Sequence, residues 1–459
     1  MVMDTVVERF VEQTPITVMA RLALQRALEP AWIDALFEQH RQTQYTRELL
    51  FSTTVEIMSV VAVGMRPSVH AAAKACTGLP VSITALYDKI NRTEPGIVRA
   101  LVQGSAQRLD PVLQPMRPNL ASTVQGYRVR ILDGNHFPAS DKRLKPLRDF
   151  RGAALPGQSL VVYDPDTGLV VDLVPCEDAH TQERALMAPL LQAAQPDELW
   201  IGDRNFCTRT ILAGWHGRGS AFIVREHGRS PNPAVCTGLR KIGRIATGKL
   251  LEQQVSIDDD AGQPLLLRRI ELHLDTPTED GDTVIRLLTN LPKEKVDAKQ
   301  VAQLYRRRWR IETMFQRLES VLNSEITTLG QPRAALLAFG VAVLAYNVLA
   351  VLQTAVTTQH KLDQASQIEL SAYYLAVEIR AHYAGMMVAV ALTAWQAYDA
   401  MTPEQLAQTL LQIAGKADPR RLRKHARGPK VAKRKGYVSA SEARKHVSTA
   451  RVLQAGRVV

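Results

Sequence analysis

The chain has 459 residues, of which 46% are hydrophobic and 22% charged, and a formal net charge of +12. That length leaves room for two or three domains, and the composition excludes a disordered or low-complexity protein. Four scattered cysteines (Cys76, Cys176, Cys207, Cys236) form no Cys-x-x-Cys pair, which argues against a zinc ribbon or disulfide framework and fits a reducing cytoplasm.

The N-terminus, with Asp4, Glu8 and Glu12, lacks the basic-then-apolar order of a signal peptide. Residues 1–115 read as a helical N-terminal domain, with apolar residues at three- and four-residue spacing in Ile16–Leu28, Ala31–Tyr45 and Val69–Cys76. Ser82 is placed to cap a short helix through Arg92 that exposes Lys89, Asn91 and Arg92. That helix is either a DNA reader of the helix-turn-helix kind or plain scaffold. Pro111 to Ser122, with Pro115 and Pro118, reads as a linker.

The texture changes at 125–227. Tyr127–Leu132 alternates as a strand that stops at Asp133-Gly134-Asn135-His136. Residues 159–174 read as a hairpin turning at Asp164-Pro165-Asp166-Thr167-Gly168, and His180 to Ala194 as a helix disturbed at Pro189. Glu198–Ile201 is a strand ending at Gly202-Asp203-Arg204-Asn205-Phe206, followed by a helix over Thr208–Gly217 and a strand over Ala221–Arg225. This order predicts an α/β layered domain with its sheet between helices.

Residues 228–293 break the rhythm. Lys249–Ile257, Leu265–Leu274 and Thr283–Leu288 are strand-like, which predicts an all-β insertion. A helix then runs from about Asp297 to Leu322, within a second core part at 294–358. Its residues Leu304, Ile311, Met314, Leu318, Val321 and Leu322 form one apolar face, while Tyr305, Arg308, Glu312 and Glu319 fall on a separate stripe. Residues 334–356 carry no charge and are long enough to span a membrane. Asn347, Tyr346 and Gln353 favour instead the buried helix of a large domain, with no membrane partner. Residues 359–415 read as a helical C-terminal region. The tail at 416–459 holds fourteen Lys/Arg against Asp418 and Glu442, which leaves residues 1–415 neutral. A basic tail on a neutral body suggests a polyanion, nucleic acid first; a solubilising tail is the alternative.

Asp133 and Asp203 end strands, where α/β domains gather functional side chains, and Glu312 follows the β segment. Three carboxylates brought together repel unless cations join them, and hard oxygen donors suit Mg²⁺, with Mn²⁺ as a substitute. Two such ions, roughly 3.5–4 Å apart, clamp the attacking and leaving oxygens of phosphodiester chemistry.

Asp133-Gly134, then Asp203-Arg204-Asn205-Phe206, then Tyr305-x-x-Arg308-x-x-x-Glu312 resemble the insertion-sequence transposases of the DDE class. The branch resembled is the insertion-sequence-four family, marked by a Tyr-x2-Arg-x3-Glu-x6-Lys signature. The resemblance covers about 125–350. It implies an RNase H-like catalytic core interrupted by a β insertion before the last acid, with Asp133, Asp203 and Glu312 as the metal-binding catalytic triad. It implies cut-and-paste chemistry through a hairpin intermediate, double-stranded DNA as partner, and a homodimer in the synaptic complex. Tyr305 and Arg308 would contact backbone phosphates; Arg suits this as a bidentate donor. Trp309 would stack on an unpaired base or pack into the core. Glu319 stands where the signature carries Lys; Arg310 and Arg317 are the candidate substitutes among DNA-binding residues. His136 and His180 are metal-ligand or proton-shuttle candidates, or hydrogen-bonded surface histidines. The basic cluster from Lys142 to Arg151 is a loop over DNA or a solvated loop. Two rival readings are a transposase-derived protein that only binds DNA and a stand-alone metal-dependent nuclease.

Overall fold

The computed structural model describes residues 5–117, 122–228, 231–259, 261–278, 281–362, 368–425 and 446–455. The N-terminal region is helical, as its spacing requires: α1 (Thr5–Gln13), α2 (Pro15–Ala27), α3 (Pro30–His40), α4 (Phe51–Ala62), α5 (Val69–Ala75), α6 (Ile83–Arg92) and α7 (Pro95–Met116). α7 corrects the expected linker, because it continues through Pro111 and Pro115. Burial of Val112, Leu113 and Met116 outweighs the lost N–H groups near the helix end. Residues 118–121, with Pro118, lie outside the described residues. Ser82 caps α6 by accepting from the Ala85 N–H at 3.2 Å. The expectation of an exposed Lys89 fails: its ammonium lies 3.7 Å from the centre of the Phe37 ring, and burial pulls its pKa down.

The α/β layer follows: β1 (Arg128–His136), β2 (Ala153–Leu155), β3 (Gln158–Tyr163), β4 (Val170–Cys176), α8 (Ala188–Ala193), β5 (Glu198–Gly202), α9 (Arg209–Gly217) and β6 (Ala221–Arg225). The helix expected over 180–194 is a 3₁₀ turn at Glu183–Leu186 followed by the short α8. Pro189 stands in the first turn of α8, the one place where its missing N–H costs nothing. β1 pairs parallel with β5, and β5 with β6, while β3 joins β1 antiparallel. Alternation along the strands divides the apolar residues between two faces. Ile131, Val161 and Ile223 pack with the helical cluster that includes α7, whereas Leu132, Leu160 and Phe222 pack with Leu190, Leu212 and Trp215 on the other side.

The β segment contains β7 (Ala234–Val235), β8 (Arg240–Ile245), β9 (Gly248–Asp258), β10 (Pro264–Leu274) and β11 (Val284–Thr289). β9, β10 and β11 match the expected strands, and β7 and β8 are additional to them. β11 pairs antiparallel with β6, so the segment extends the central sheet. The sheet order is β4-β3-β1-β5-β6-β11-β10-β9-β7, with β8 on β9.

The single helix expected from Asp297 to Leu322 is two: α10 (Ala298–Arg306), capped by a reciprocal Asp297–Gln300 box, and α11 (Trp309–Val321). Between them the backbone tightens to three-residue bonds, Arg307 N to Leu304 O at 2.9 Å and Arg308 N to Tyr305 O at 3.0 Å. Tertiary ties of two successive arginines hold this turn: Arg307 donates to Thr123 Oγ1 at 2.7 Å and Arg308 to Asp133 at 2.9 Å.

α12 (Pro332–Gln359) is the uncharged helix and runs through the middle of the helical layer; 94% of its most apolar window is buried. Gly340 permits the crossing with α7, since a Cβ there would sit 2.5 Å from Val98 Cγ1. Asn347, fully buried, accepts from the Val170 N–H at 2.8 Å and donates to the Val170 carbonyl at 3.0 Å. It thereby satisfies the end of β4, a service that water gives elsewhere. Asn347→Leu is expected to lower the unfolding free energy by roughly 2–3 kcal/mol, because both Val170 groups lose their partner in a dry core; urea denaturation measures the loss.

α13 (Ala372–Ala389), α14 (Leu392–Gln396) and α15 (Pro403–Ala414) form the expected helical C-terminal region. Of the basic tail, residues 426–445 and 456–459 lie outside the described residues. β12 (His446–Ser448) pairs parallel with β2, and α16 (Thr449–Ala455) follows it. Arg451 Nε donates to Asp178 Oδ2 at 2.8 Å. Burial pushes the Asp178 carboxyl up, but the adjacent Ser448 hydroxyl, the His180 N–H and Arg451 outweigh it and hold the pKa at about 2. A depressed carboxylate contributes stability above its ordinary pKa and loses it as pH falls through the lowered one. Docking of 446–455 is therefore expected to weaken between about pH 4 and pH 2. Hydrogen exchange of that segment measures this, and Asp178→Asn should remove the pH dependence in that window.

Candidate active site

β1 continues past Leu132 to His136, so Asp133 lies within the strand rather than at its end. Its partner there is Val161 of β3, while the parallel pairing with β5 stops at Ile131. Asp133 thus sits just beyond the end of the pairing with β5. Asp203 follows β5 directly and caps a 3₁₀ turn at Arg204–Phe206, its Oδ1 accepting from the Asn205 N–H at 2.8 Å. The Asx turn sets the side chain's direction locally, without tertiary help.

α11 supplies the third acid. Arg308 Nη1 donates to Asp133 Oδ2 at 2.9 Å, and Nη2 to Glu312 Oε1 at 2.9 Å. The guanidinium is 12% exposed, Asp133 18% and Glu312 33%, so this is a partly dry bridge rather than a surface pair. Burial pushes the Asp133 carboxyl up; Asp203 and Glu183 add to this, Arg308 opposes it, and the result is about 7. Burial works against the Arg308 charge, and Tyr305, Asp133, Glu312 and Asp203 together reverse that. The four residues therefore act on one guanidinium; the single helical stripe expected for Tyr305, Arg308 and Glu312 is broken by the turn between the two helices, and Tyr305 lies in the core with Leu304 and Ile311. Tyr305 is only 9% exposed, and burial pushes its phenol up.

The remaining predicted residues separate. Trp309 is 60% exposed, so it does not pack into the core, and the Arg308 guanidinium lies 5.3 Å from its ring centre. Arg310 is exposed and donates to the Pro165 carbonyl at 3.2 Å. With Arg306 and Arg307, also exposed, it surrounds Trp309 with positive charge. Arg317 is turned the other way: it reaches Gln353 Oε1 at 3.4 Å and lies by Tyr346. Glu319 is exposed. His136 is exposed, 3.8 Å from Glu183 Oε1, and His180 is exposed with its N–H on Asp178. In the basic loop, Lys145, Arg148 and Arg151 are exposed around a buried Leu147.

Glu183 had no place in the sequence reading. It stands on the 3₁₀ turn that replaces the expected helix, at a position where nothing in the local pattern marks it. The nearest signal is Gly134, whose missing Cβ makes room for it: a Cβ there would lie 2.0 Å from Glu183 Oε1.

No group of three or more His, Cys, Asp or Glu side chains among the described residues is arranged as a ready metal site. Arg308 instead bonds two of the candidate acids, Asp133 and Glu312. The donor set nevertheless fits a divalent cation. All its donors are hard carboxylate oxygens, two of them already share one cationic partner, and Asp203 is close enough to raise the pKa of Asp133.

Residues 124–348 match the family model described as "Transposase DDE domain". The transposase for insertion sequence element IS421 of Escherichia coli is 26% identical over 259 residues, covering 48% of this chain and 64% of that protein. The InsL protein of insertion sequence element IS186A of Escherichia coli K12 matches with the same identity and coverage. The chain thus spans less than two thirds of the length of these relatives. The matched region holds Asp133, Asp203, Arg308 and Glu312, so the candidate acids lie within the stretch that is similar to a transposase DDE domain.

Proposed function

We propose that this protein is a transposase that cuts DNA at the ends of an insertion sequence and joins those ends to a target by metal-dependent hydrolysis and strand transfer. The observation that carries the reading is the bridge of Asp133, Arg308 and Glu312 beside Asp203, within the stretch that matches the transposase domain. The order β4-β3-β1-β5-β6, with β3 antiparallel among its neighbours, supports an RNase H-like core at 125–227 and 294–358. On this reading 228–293 is an insertion that extends the sheet, and 1–115, 359–415 and 416–459 are separate functional regions. The membership proposed is the insertion-sequence-four branch, with cut-and-paste transposition through a hairpin, a homodimer at the synapsed ends, and action in the cytoplasm.

Asp133, Asp203 and Glu312 would hold Mg²⁺ or Mn²⁺, in a two-ion arrangement. Bound there, the ions would activate water or a 3′-hydroxyl and stabilise the departing oxygen. The protein's own part is positioning. The Asx turn aims Asp203, α11 aims Glu312, and Arg308 balances the acids until substrate and cation arrive. Trp309, with Arg306, Arg307 and Arg310 around it, offers a ring for an unpaired base and charge for flanking phosphates. The buried Tyr305 lies against Arg308 and orients it. Arg317, held by Gln353, leaves Arg310 as the better substitute for the signature's Lys.

The test is incubation of the purified full chain with Mg²⁺ and a plasmid carrying the element's own flanking ends. Excision, followed by joining of pre-cut ends to a target, is the expected result. Cutting without joining would favour a stand-alone nuclease, and specific binding without cutting in Mg²⁺ or Mn²⁺ a DNA-binding derivative.

A further inference from the structure

We propose that the cavity between α6 and the loop joining α3 to α4 is a binding site for a single adenine nucleotide, a role independent of the transposase reading above. The cavity holds about 640 Å³ and is bounded by that loop, by α6 and by Arg333 of α12. Its volume is that of a small-ligand site. All of its lining except Arg333 lies outside residues 124–348, the stretch similar to a transposase domain.

Gln44 is the observation that points to a ligand. It lines the cavity and is 8% exposed, yet neither its amide nitrogen nor its amide oxygen has a hydrogen-bond partner among the described residues. A buried amide left in that state costs stability, and a Leu of similar size would not. The loop around it is fixed: Arg41 Nη1 donates to the Gln44 carbonyl at 2.8 Å, and the Gln42 and Thr43 N–H groups each donate to Glu94 at 2.7 Å. The amide offers one donor and one acceptor side by side, the set that pairs with N7 and the N6 amine of adenine. Guanine presents two acceptors on that edge and would satisfy only half of it.

The rest of the lining suits the other parts of a nucleotide. Tyr45 is 55% exposed and supplies a ring on which a base stacks. Arg333 is engaged by Glu177 at 2.9 Å, and the Arg47 guanidinium lies 4.8 Å from the centre of the Tyr45 ring. Arg92 is exposed and makes no ion pair among the described residues, which leaves its guanidinium for a phosphate. The Lys89 ammonium, also without a hydrogen-bond partner among the described residues, adds to a positive lining in which four cations face Glu48 and Asp88. A free nucleotide and an extrahelical adenine of DNA present the same chemistry.

The experiment is titration calorimetry of the full chain with adenosine 5′-monophosphate, guanosine 5′-monophosphate and ribose 5-phosphate. Gel shifts run beside it compare a duplex carrying one extrahelical adenine with its fully paired counterpart. The adenine nucleotide is expected to bind about tenfold tighter than the other two ligands, the scale of one bidentate base contact. Gln44→Leu should remove that advantage without lowering the melting temperature. Arg92→Gln, a change at an exposed position, should weaken binding about tenfold through the lost charge-assisted bond. Adenosine monophosphate binding with both losses assigns a free nucleotide. Preference for the extrahelical adenine, erased by either variant and without binding of the monophosphate, assigns a base presented by DNA. Equal binding of adenosine monophosphate and ribose 5-phosphate overturns the proposal. So does an affinity that neither variant changes, or the absence of both monophosphate binding and preference for the extrahelical adenine.

Discussion

Asp203→Asn is expected to abolish DNA cleavage, by about a thousandfold or more, the scale of removing a preorganised electrostatic group from a transition state, while leaving the fold and DNA binding intact. The substitution is chosen for its geometry. The Asn205 N–H bonds to Asp203 Oδ1, and an amide oxygen accepts the same bond, so the 3₁₀ turn survives. What is lost is the charge and the second hard oxygen. The measurement is plasmid cleavage in Mg²⁺, with a gel shift on the element's ends for binding. Asp133→Asn should behave alike, though its carboxylate also ties Arg308, so some loss of stability accompanies the loss of cutting. An Asp203→Asn protein that cuts at the wild-type rate would remove Asp203 from the catalytic set.

Arg308→Ala carries the second large effect, and it tests the guanidinium's place in the centre. In the structure Arg308 is the cation between Asp133 and Glu312, both partly buried. Its removal leaves two carboxylates facing each other beside Asp203. The metal-free variant is expected to lose roughly 3 kcal/mol of stability, the lower end for breaking a buried pair, because the bridge is not fully dry. Mn²⁺ should then stabilise Arg308→Ala more than wild type, since the ion supplies the charge the guanidinium supplied. Thermal melts in chelator and in Mn²⁺ decide it. An equal Mn²⁺ effect on both proteins would mean that the guanidinium does not share the cation's place. Arg308→Lys should recover part of the stability but not the two-pronged bridge, since an ammonium lacks the planar fork.

The candidate acids Asp133, Asp203 and Glu312 stand out in the sequence by local pattern together with the family resemblance: Asp-Gly and Asp-Arg-Asn after strand-like runs, and Glu312 spaced behind Tyr305 and Arg308 on a helix-like segment. Such signals survive in a linear chain because strand and helix periodicities are set within a few residues. The hairpin at 159–174 and the long strands of 228–293 were legible for the same reason. The proline-bearing end of α7 was not, because its helix is held by the burial of Val112 and Met116, which is a property of neighbours far away in sequence. The break at Arg307–Arg308 was missed likewise: the residues there are good helix formers, and the tighter turn depends on Thr123 and Asp133.

From residue order alone came most element types, the α/β layering, the β segment before Glu312, and a buried rather than exposed role for the helix around Asn347. Contacts between distant segments settled the rest: that the β segment continues the central sheet through β11 and β6, that Arg308 bridges Asp133 and Glu312, that Trp309 faces outward while Arg317 turns inward, and that Glu183 lies over Gly134. The division has a physical cause. Backbone periodicity and turn chemistry act over a few residues, whereas a side chain's partner depends on which surfaces the whole chain must bury together. A carboxylate on an irregular turn, such as Glu183, leaves no local trace of the strand it will meet.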